Sequence, residues 1–403
     1  MTEVADPPAD EVTVEQARAG IRPGLIYGLL PLALLGVLMA VLFRVDPLAS
    51  MRADVPPIED LTFDRVVLSE EPSTIRLTVT NGGPETVTVA QILVDQSFWR
   101  FGITPSSIIE PLRSATIDLD YPWVTGEPFE IEILTSTGLT FQHAIHVAKA
   151  TPAGDAATLA DVALIGLFVG LLPVLIGLCW YPFVGRVRRR TVQFLLALTA
   201  GVLVFLAVDA TVEAIELVPT VPTAFQGFGI FIVAVAVSSA VLIVVAAWRR
   251  RRSGQEALAL ATAIALGVGL HNLGEGMAIG AAFALGEVAL TTLLVIGFAL
   301  HNSTEGLAIV TPLSRSRPSL GGLVLLGVLA GTPTILGTWV GALAYSPVLA
   351  ISFLGFGVGA IGQVVAELGR LIGRDEGLGQ PRVVSGFAAG LIVMYVTAVI
   401  IAG

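Results

Sequence analysis

Lysine is almost missing from this 403-residue chain: Lys149 is the single example among 22 basic residues. We attach no functional weight to that bias. Cysteine occurs once, as Cys179, which excludes a disulfide framework within one chain and any multi-cysteine metal site, and leaves the redox compartment open. Charge is scarce too: 13% of residues are charged, about half the share usual in a soluble domain. The net charge of -10 argues against a nucleic-acid partner. No phosphate-binding loop is visible, so ATP is not implied. What the chain has in abundance is apolar residues, 54% of the total, gathered into runs long enough to cross a bilayer. The composition is that of a membrane protein with the lipid bilayer as its first partner.

Residues 1–23 are polar and acidic with Pro7-Pro8, a composition that predicts a disordered cytoplasmic tail. Residues 24–43 form an apolar stretch behind Arg18 and Arg22 and are expected to be a transmembrane anchor helix, too long for a cleaved signal peptide. Over residues 55–150 the pattern becomes period-two: Ile75-Arg76-Leu77-Thr78-Val79 and Phe129-Glu130-Ile131-Glu132-Ile133 alternate, punctuated by Asn81-Gly82-Gly83-Pro84, Gly126 and Gly138. That pattern predicts a small all-β sandwich. Residues 158–403 then hold eight apolar segments, each long enough for a helix across a membrane. The fold expected is therefore an all-α polytopic membrane bundle of eight helices, preceded by one anchor helix and a small extracytoplasmic β-sandwich.

Every arginine beyond position 155 falls in one of four alternate connections, around Arg186–Arg190, Arg249–Arg252, Arg315–Arg317 and Arg370–Arg382. The positive-inside rule makes those loops cytoplasmic and places the C-terminus and the β-domain outside, with the N-terminus cytoplasmic. A plasma-membrane location follows as the expectation. Small-residue spacings such as Gly166-x3-Gly170, Gly337-x3-Gly341 and Gly355-x3-Gly359 mark close helix packing.

An ionisable side chain at mid-membrane costs at least ~2.5 kcal/mol, so it is read as functional by default. Here such residues are concentrated. His271-Asn272-Leu273-Gly274-Glu275-Gly276 in the fourth bundle segment and His301-Asn302-Ser303-Thr304-Glu305-Gly306 in the fifth repeat one pattern, His-Asn-x-x-Glu-Gly. His and Glu at i and i+4 share a helical face one turn apart, and both motifs lie near the middle of their segments. Two carboxylates and two neutral imidazoles can thus converge, a donor set suited to Zn2+ and acceptable to iron, manganese or cobalt. The plain alternative, hydrogen-bonded structural polars between helices, explains a single His better than a duplicated set. Asp209, Glu213 and Glu216 in the second segment are expected to line an entrance pathway that draws cations toward the site. Glu367 with Arg370 is equally well an interfacial ion pair. His143 and His146, an odd number of residues apart in a strand, point to opposite faces and are not expected to share a metal. Glu287, in a short link, is read as solvated.

These residues resemble those of the ZIP (Zrt/Irt-like) family of divalent metal transporters. That family has eight helices with both ends outside, a fourth-helix motif His-Asn-x-Pro-Glu-Gly and a fifth-helix motif beginning His-Glu-x-Pro. The sequence His271-Asn272-Leu273-Gly274-Glu275-Gly276 departs from the first motif only in lacking its proline. The resemblance covers about Thr158 to Gly403. It implies His271, Glu275, His301 and Glu305 as metal ligands, with Asn272 and Asn302 at an adjacent second site. That second site is weakened, because Asn302 and Thr332 stand where the family carries acids, so one tight metal per chain is implied instead of two. The anchor helix and β-domain lie outside the family pattern.

The function expected from the sequence is uptake of a divalent metal cation, zinc first, into the cytoplasm, with no enzymatic activity and no organic cofactor. The metal is cargo, and the sequence permits a homodimer. Two alternatives stand beside this reading. One is a non-transporting metal-binding sensor or scaffold; the other is an intramembrane metalloenzyme, against which count the lack of a His-Glu-x-x-His signature and a four-ligand set that leaves no open coordination position.

Overall fold

In a computed structural model the described residues are 30–41, 44–45, 58–151, 154–253, 256–284, 288–375 and 377–402. The expected tail at 1–23, the ends of the expected anchor at 24–29 and 42–43, and the Gly286-Glu287 link lie outside them. Of the anchor, Leu30–Val41 is an apolar helix, which by itself is shorter than a membrane crossing.

Residues 58–151 form the all-β region as two antiparallel sheets. One has the order β1 (Leu61–Ser69), β2 (Thr74–Asn81), β7 (Ser114–Leu119), β5 (Phe101–Thr104). The other runs β4 (Ser97–Trp99), β3 (Val87–Val94), β8 (Phe129–Thr135), β9 (Thr140–Ile145), with β6 (Ile108–Ile109) also on β3. Alternation dictates the faces: along β8, Phe129, Ile131 and Ile133 are buried while Glu130 and Glu132 are not. These join Ile75, Leu77, Val79 and Ile117 from the other sheet in one core. The Asn81-Gly82-Gly83 turn is set by its asparagine, whose Oδ1 accepts from Gly83 N at 2.9 Å while Nδ2 donates to the Glu85 and Ile109 carbonyls.

Among the described residues, eight helices long and apolar enough to cross a membrane follow. They are α1 (Ala156–Val184), α2 (Arg189–Leu217), α3 (Gly227–Ser253), α4 (Glu256–Ala284), α5 (Val288–Val310), α6 (Leu320–Ala344), α7 (Pro347–Asp375) and α8 (Pro381–Ala402). Runs this apolar must satisfy their backbone hydrogen bonds internally, which makes each a helix. Local signals set the ends. Asp155 accepts from Thr158 N at 2.8 Å and Ser319 from Gly322 N at 3.1 Å, and prolines open α7 and α8. Helix α1 is interrupted by a π turn at Leu167–Leu171.

Glycines decide which helices touch backbone to backbone. A Cβ on Gly276 or Gly280 of α4 would stand 2.1 or 2.3 Å from the Thr334 or Thr338 carbonyl of α6. One on Gly337 or Gly341 of α6 would meet Leu273 or Met277 oxygen of α4 at 2.2 or 2.1 Å. The same kind of contact joins α1 to α6 at Gly166 and Gly170, α1 to α5 at Gly177 and Gly306, α2 to α8 at Gly201 and Gly390, and α3 to α7 at Gly355 and Gly359. Helices α1, α4, α5 and α6 are thereby knitted into one group, and α2 with α8 and α3 with α7 into pairs. Between α7 and α4, Gly357 passes close to the His271 backbone.

The β-region rests on one end of the bundle. Asp60 Oδ2 accepts from Thr223 N at 3.2 Å and Thr223 Oγ1 at 2.7 Å in the α2–α3 connection, and Gly82 packs on Pro222. That end gathers Leu217 at the close of α2, Ala284 of α4, Tyr345 after α6 and Pro347 of α7. The arginine-bearing connections follow the opposite ends of the helices.

Candidate metal centre

Helix α4 carries His271 and Glu275 one turn apart, and α5 supplies His301 from across the helix pair. One ligand atom from each of these three residues lies within 4.8 Å of the other two. His301 Nε2 hydrogen-bonds Glu275 Oε1, and His271 Nε2 lies 3.1 Å from the same oxygen without the alignment of a hydrogen bond. All three are buried, as are Glu305, Asn272 and Asn302. Phe298 stands edge-on to the His301 ring at 5.3 Å and helps fix its plane.

Glu305 departs from the expectation that four ligands form one set. It is fully buried next to the triad but does not join the group within 4.8 Å. Neither Glu305 oxygen has an aligned hydrogen-bond partner, and the neighbouring Asn272 amide donates to the Ala330 carbonyl of α6 at 3.0 Å.

The two asparagines act as braces. Asn302 Nδ2 donates to the Val169 carbonyl in the π turn of α1 at 3.0 Å and to Glu275 Oε2 at 3.2 Å. It therefore turns the carboxylate so that Oε1 faces both imidazoles, while Asn272 ties the same motif to α6. Their Oδ1 atoms are buried and unpartnered. The sequence implies both asparagines as ligands of an adjacent second site, with interhelical hydrogen bonding as the plain alternative. The orienting bond depends on α1 approaching α5 at Gly177 and Gly306, for which the motif itself holds no signal.

A cation fits this donor set. Imidazole nitrogens, a carboxylate and several unpartnered oxygens crowd a region where anionic charge is costly without compensation, and a divalent ion supplies that compensation. The acidic residues of α2 face the same region. Asp209 and Glu213 are both within electrostatic reach of His271 and Glu275, and Glu216 of the other two acids. Glu213 lines a cavity of about 320 Å³ together with Gly274, Met277, Ala278 and Tyr345. Burial and the nearby Glu213 carboxylate push the Tyr345 phenol above its ordinary range, so it stays a neutral donor.

The remaining candidates lie apart. Glu367 pairs with Arg370 at 3.3 Å. His143 stacks on Phe63 with centroids 5.1 Å apart, and burial together with His146 holds its imidazole below the usual range. Among the described residues neither His143 nor His146 belongs to a group of metal-ligating side chains. Glu287 lies outside the described residues. Compared with known proteins, the chain matches no family model and no curated protein sequence.

Proposed function

We propose that this protein moves a divalent metal cation, zinc first among the candidates and iron, manganese or cobalt after it, across a membrane into the cytoplasm in the manner of ZIP-type transporters. The observation that carries the reading is the buried His271–Glu275–His301 triad at the middle of two apolar helices. Glu305, fully buried one turn beyond His301 on α5, is the fourth group. Asp209 and Glu213 attract the cation from the β-domain end, the outer one by the arginine distribution. Movement of the α1/α4/α5/α6 group against the other helices would then expose the site inward. The placement of backbone-to-backbone glycine contacts mostly inside that group supports its moving as a unit. One metal per chain is expected.

A second reading has one observation in its favour. Two His and one Glu also form the donor set of hydrolytic zinc sites, with an adjacent carboxylate as base, and Glu305 stands near the triad. The acid-lined approach favours a cation as the thing that travels.

The test is uptake of zinc, manganese, iron and cobalt into proteoliposomes by wild type, His271→Ala and Glu275→Gln. Saturable uptake lost in both variants supports transport through this site. Tight binding of one metal without movement overturns transport in favour of a sensor or scaffold, and metal-dependent hydrolysis without uptake would favour the enzyme.

A further inference from the structure

The cavity lined by Glu213 abuts a second cavity of about 280 Å³ between the β-region and the bundle, whose lining includes Phe63, Asp64, His143 and Val147 from the β-region and Ala284 and Pro347 from the helices. The two share three lining residues, Leu217, Ala281 and Tyr345. Those three therefore form the neck between an outer antechamber and the inner cavity. Leu217 and Ala281 are apolar, so among the described residues the Tyr345 side chain is the only one at the neck offering oxygen to a passing ion. The walls differ in charge as well. The antechamber carries both signs, Asp64 with Arg65 and Lys149, whereas among the described residues Glu213 is the single charged one around the inner cavity. The Asp60–Thr223 bonds and the Gly82–Pro222 contact hold the roof in place.

We infer that Tyr345 is a specificity-determining neck residue, and that the β-region is the fixed outer wall of an antechamber through which small cations pass to reach the metal centre. Selection for positive charge begins inside the neck, where Glu213 acts without a basic neighbour among the described residues of the wall. The ring limits size, and its hydroxyl replaces part of a cation's hydration on the way through. The identity of the cargo rests on the function proposed above, but the passage itself is measurable without any metal.

The experiment uses the full chain with Cys179→Ser and a reporter, Ala278→Cys, in the inner cavity, labelled in detergent by small cationic and anionic methanethiosulfonates. The cationic reagent is expected to react several-fold faster than the anionic one. Tyr345→Ala should accelerate both several-fold, Tyr345→Phe should leave the size limit intact, and Val147→Trp, which fills the antechamber from the roof, should slow both. Equal rates in Tyr345→Ala and the parent, or no slowing by Val147→Trp, would overturn the inference. Should Tyr345→Ala not remain monodisperse, Tyr345→Leu gives the same reading. Zinc calorimetry on the Cys179→Ser chain without the reporter separates the two claims. Absence of zinc binding counts against the proposed function, while the labelling rates still decide the neck.

Discussion

Glu275 is the hinge of the centre because both imidazoles address one of its oxygens and Asn302 holds the other. Glu275→Gln keeps the shape but removes the charge that offsets a cation, and calorimetry is expected to show zinc binding lost. Asn302→Ala leaves all three ligands in place and frees the carboxylate to rotate. Zinc affinity should fall about 10–100-fold, the range for loss of a residue that orients a ligand. An unchanged affinity would show that packing alone orients Glu275. In the β-region, His143 is held below its ordinary range by burial, so the unfolded chain binds this proton more tightly than the folded one. Stability contributed by neutral His143 is therefore intact above the ordinary imidazole value of 6.5 and lost as pH falls below it. His143→Phe keeps a ring on Phe63 and should flatten that part of the melting-temperature profile between neutral and mildly acid pH.

At the scale of helices, the glycines of α4 and α6 separate two kinds of position. Gly→Ala inside a helix usually stabilises by roughly 1 kcal/mol through propensity. At Gly276, Gly337 and Gly341 the added carbon would lie 2.1 to 2.2 Å from a carbonyl oxygen of the partner helix, so the helices must part. Thermal melts in detergent should show Gly276→Ala and Gly337→Ala clearly destabilised. Gly362→Ala in α7, with nothing within 4 Å of its Cβ, should be neutral or slightly stabilised. If all three behave alike, close packing is not what fixes the α4–α6 distance. The site inherits its geometry from this packing, since Asn272 reaches Ala330 and Asn302 reaches Val169 only at such separations.

For the molecule as a whole, the arrangement joins a rigid roof to a bundle of helix groups, and the join is small. Asp60→Ala removes the acceptor of both Thr223 bonds, exposed contacts that together are expected to contribute about 1 kcal/mol. Hydrogen exchange of the Thr223 amide and its neighbours should quicken while the strands of the sandwich core stay protected. Equal protection across both regions in the variant would mean that the β-region is held by packing and not by this clamp.

The eight helices and the strands were legible in the amino-acid order because both depend on local periodicity: unbroken apolar runs leave no conformation but helix in lipid, and alternation of Phe129, Ile131 and Ile133 assigns a strand its buried face. The duplicated His-Asn-x-x-Glu-Gly motif likewise announced the buried His271–Glu275–His301 cluster, since i and i+4 already share a face. What the order of residues could not decide was distance between segments. Whether Glu305 joins the triad, whether Asn302 serves as ligand or brace, and that Tyr345, Asp60 and Thr223 matter at all depend on helix offsets and on the docking of a sandwich remote in sequence. Those quantities are set by backbone contacts at glycines and by side chains more than a hundred residues apart, such as Asp60 with Thr223 and Asn302 with Val169. Local pattern carries no term for them; only the packed structure does.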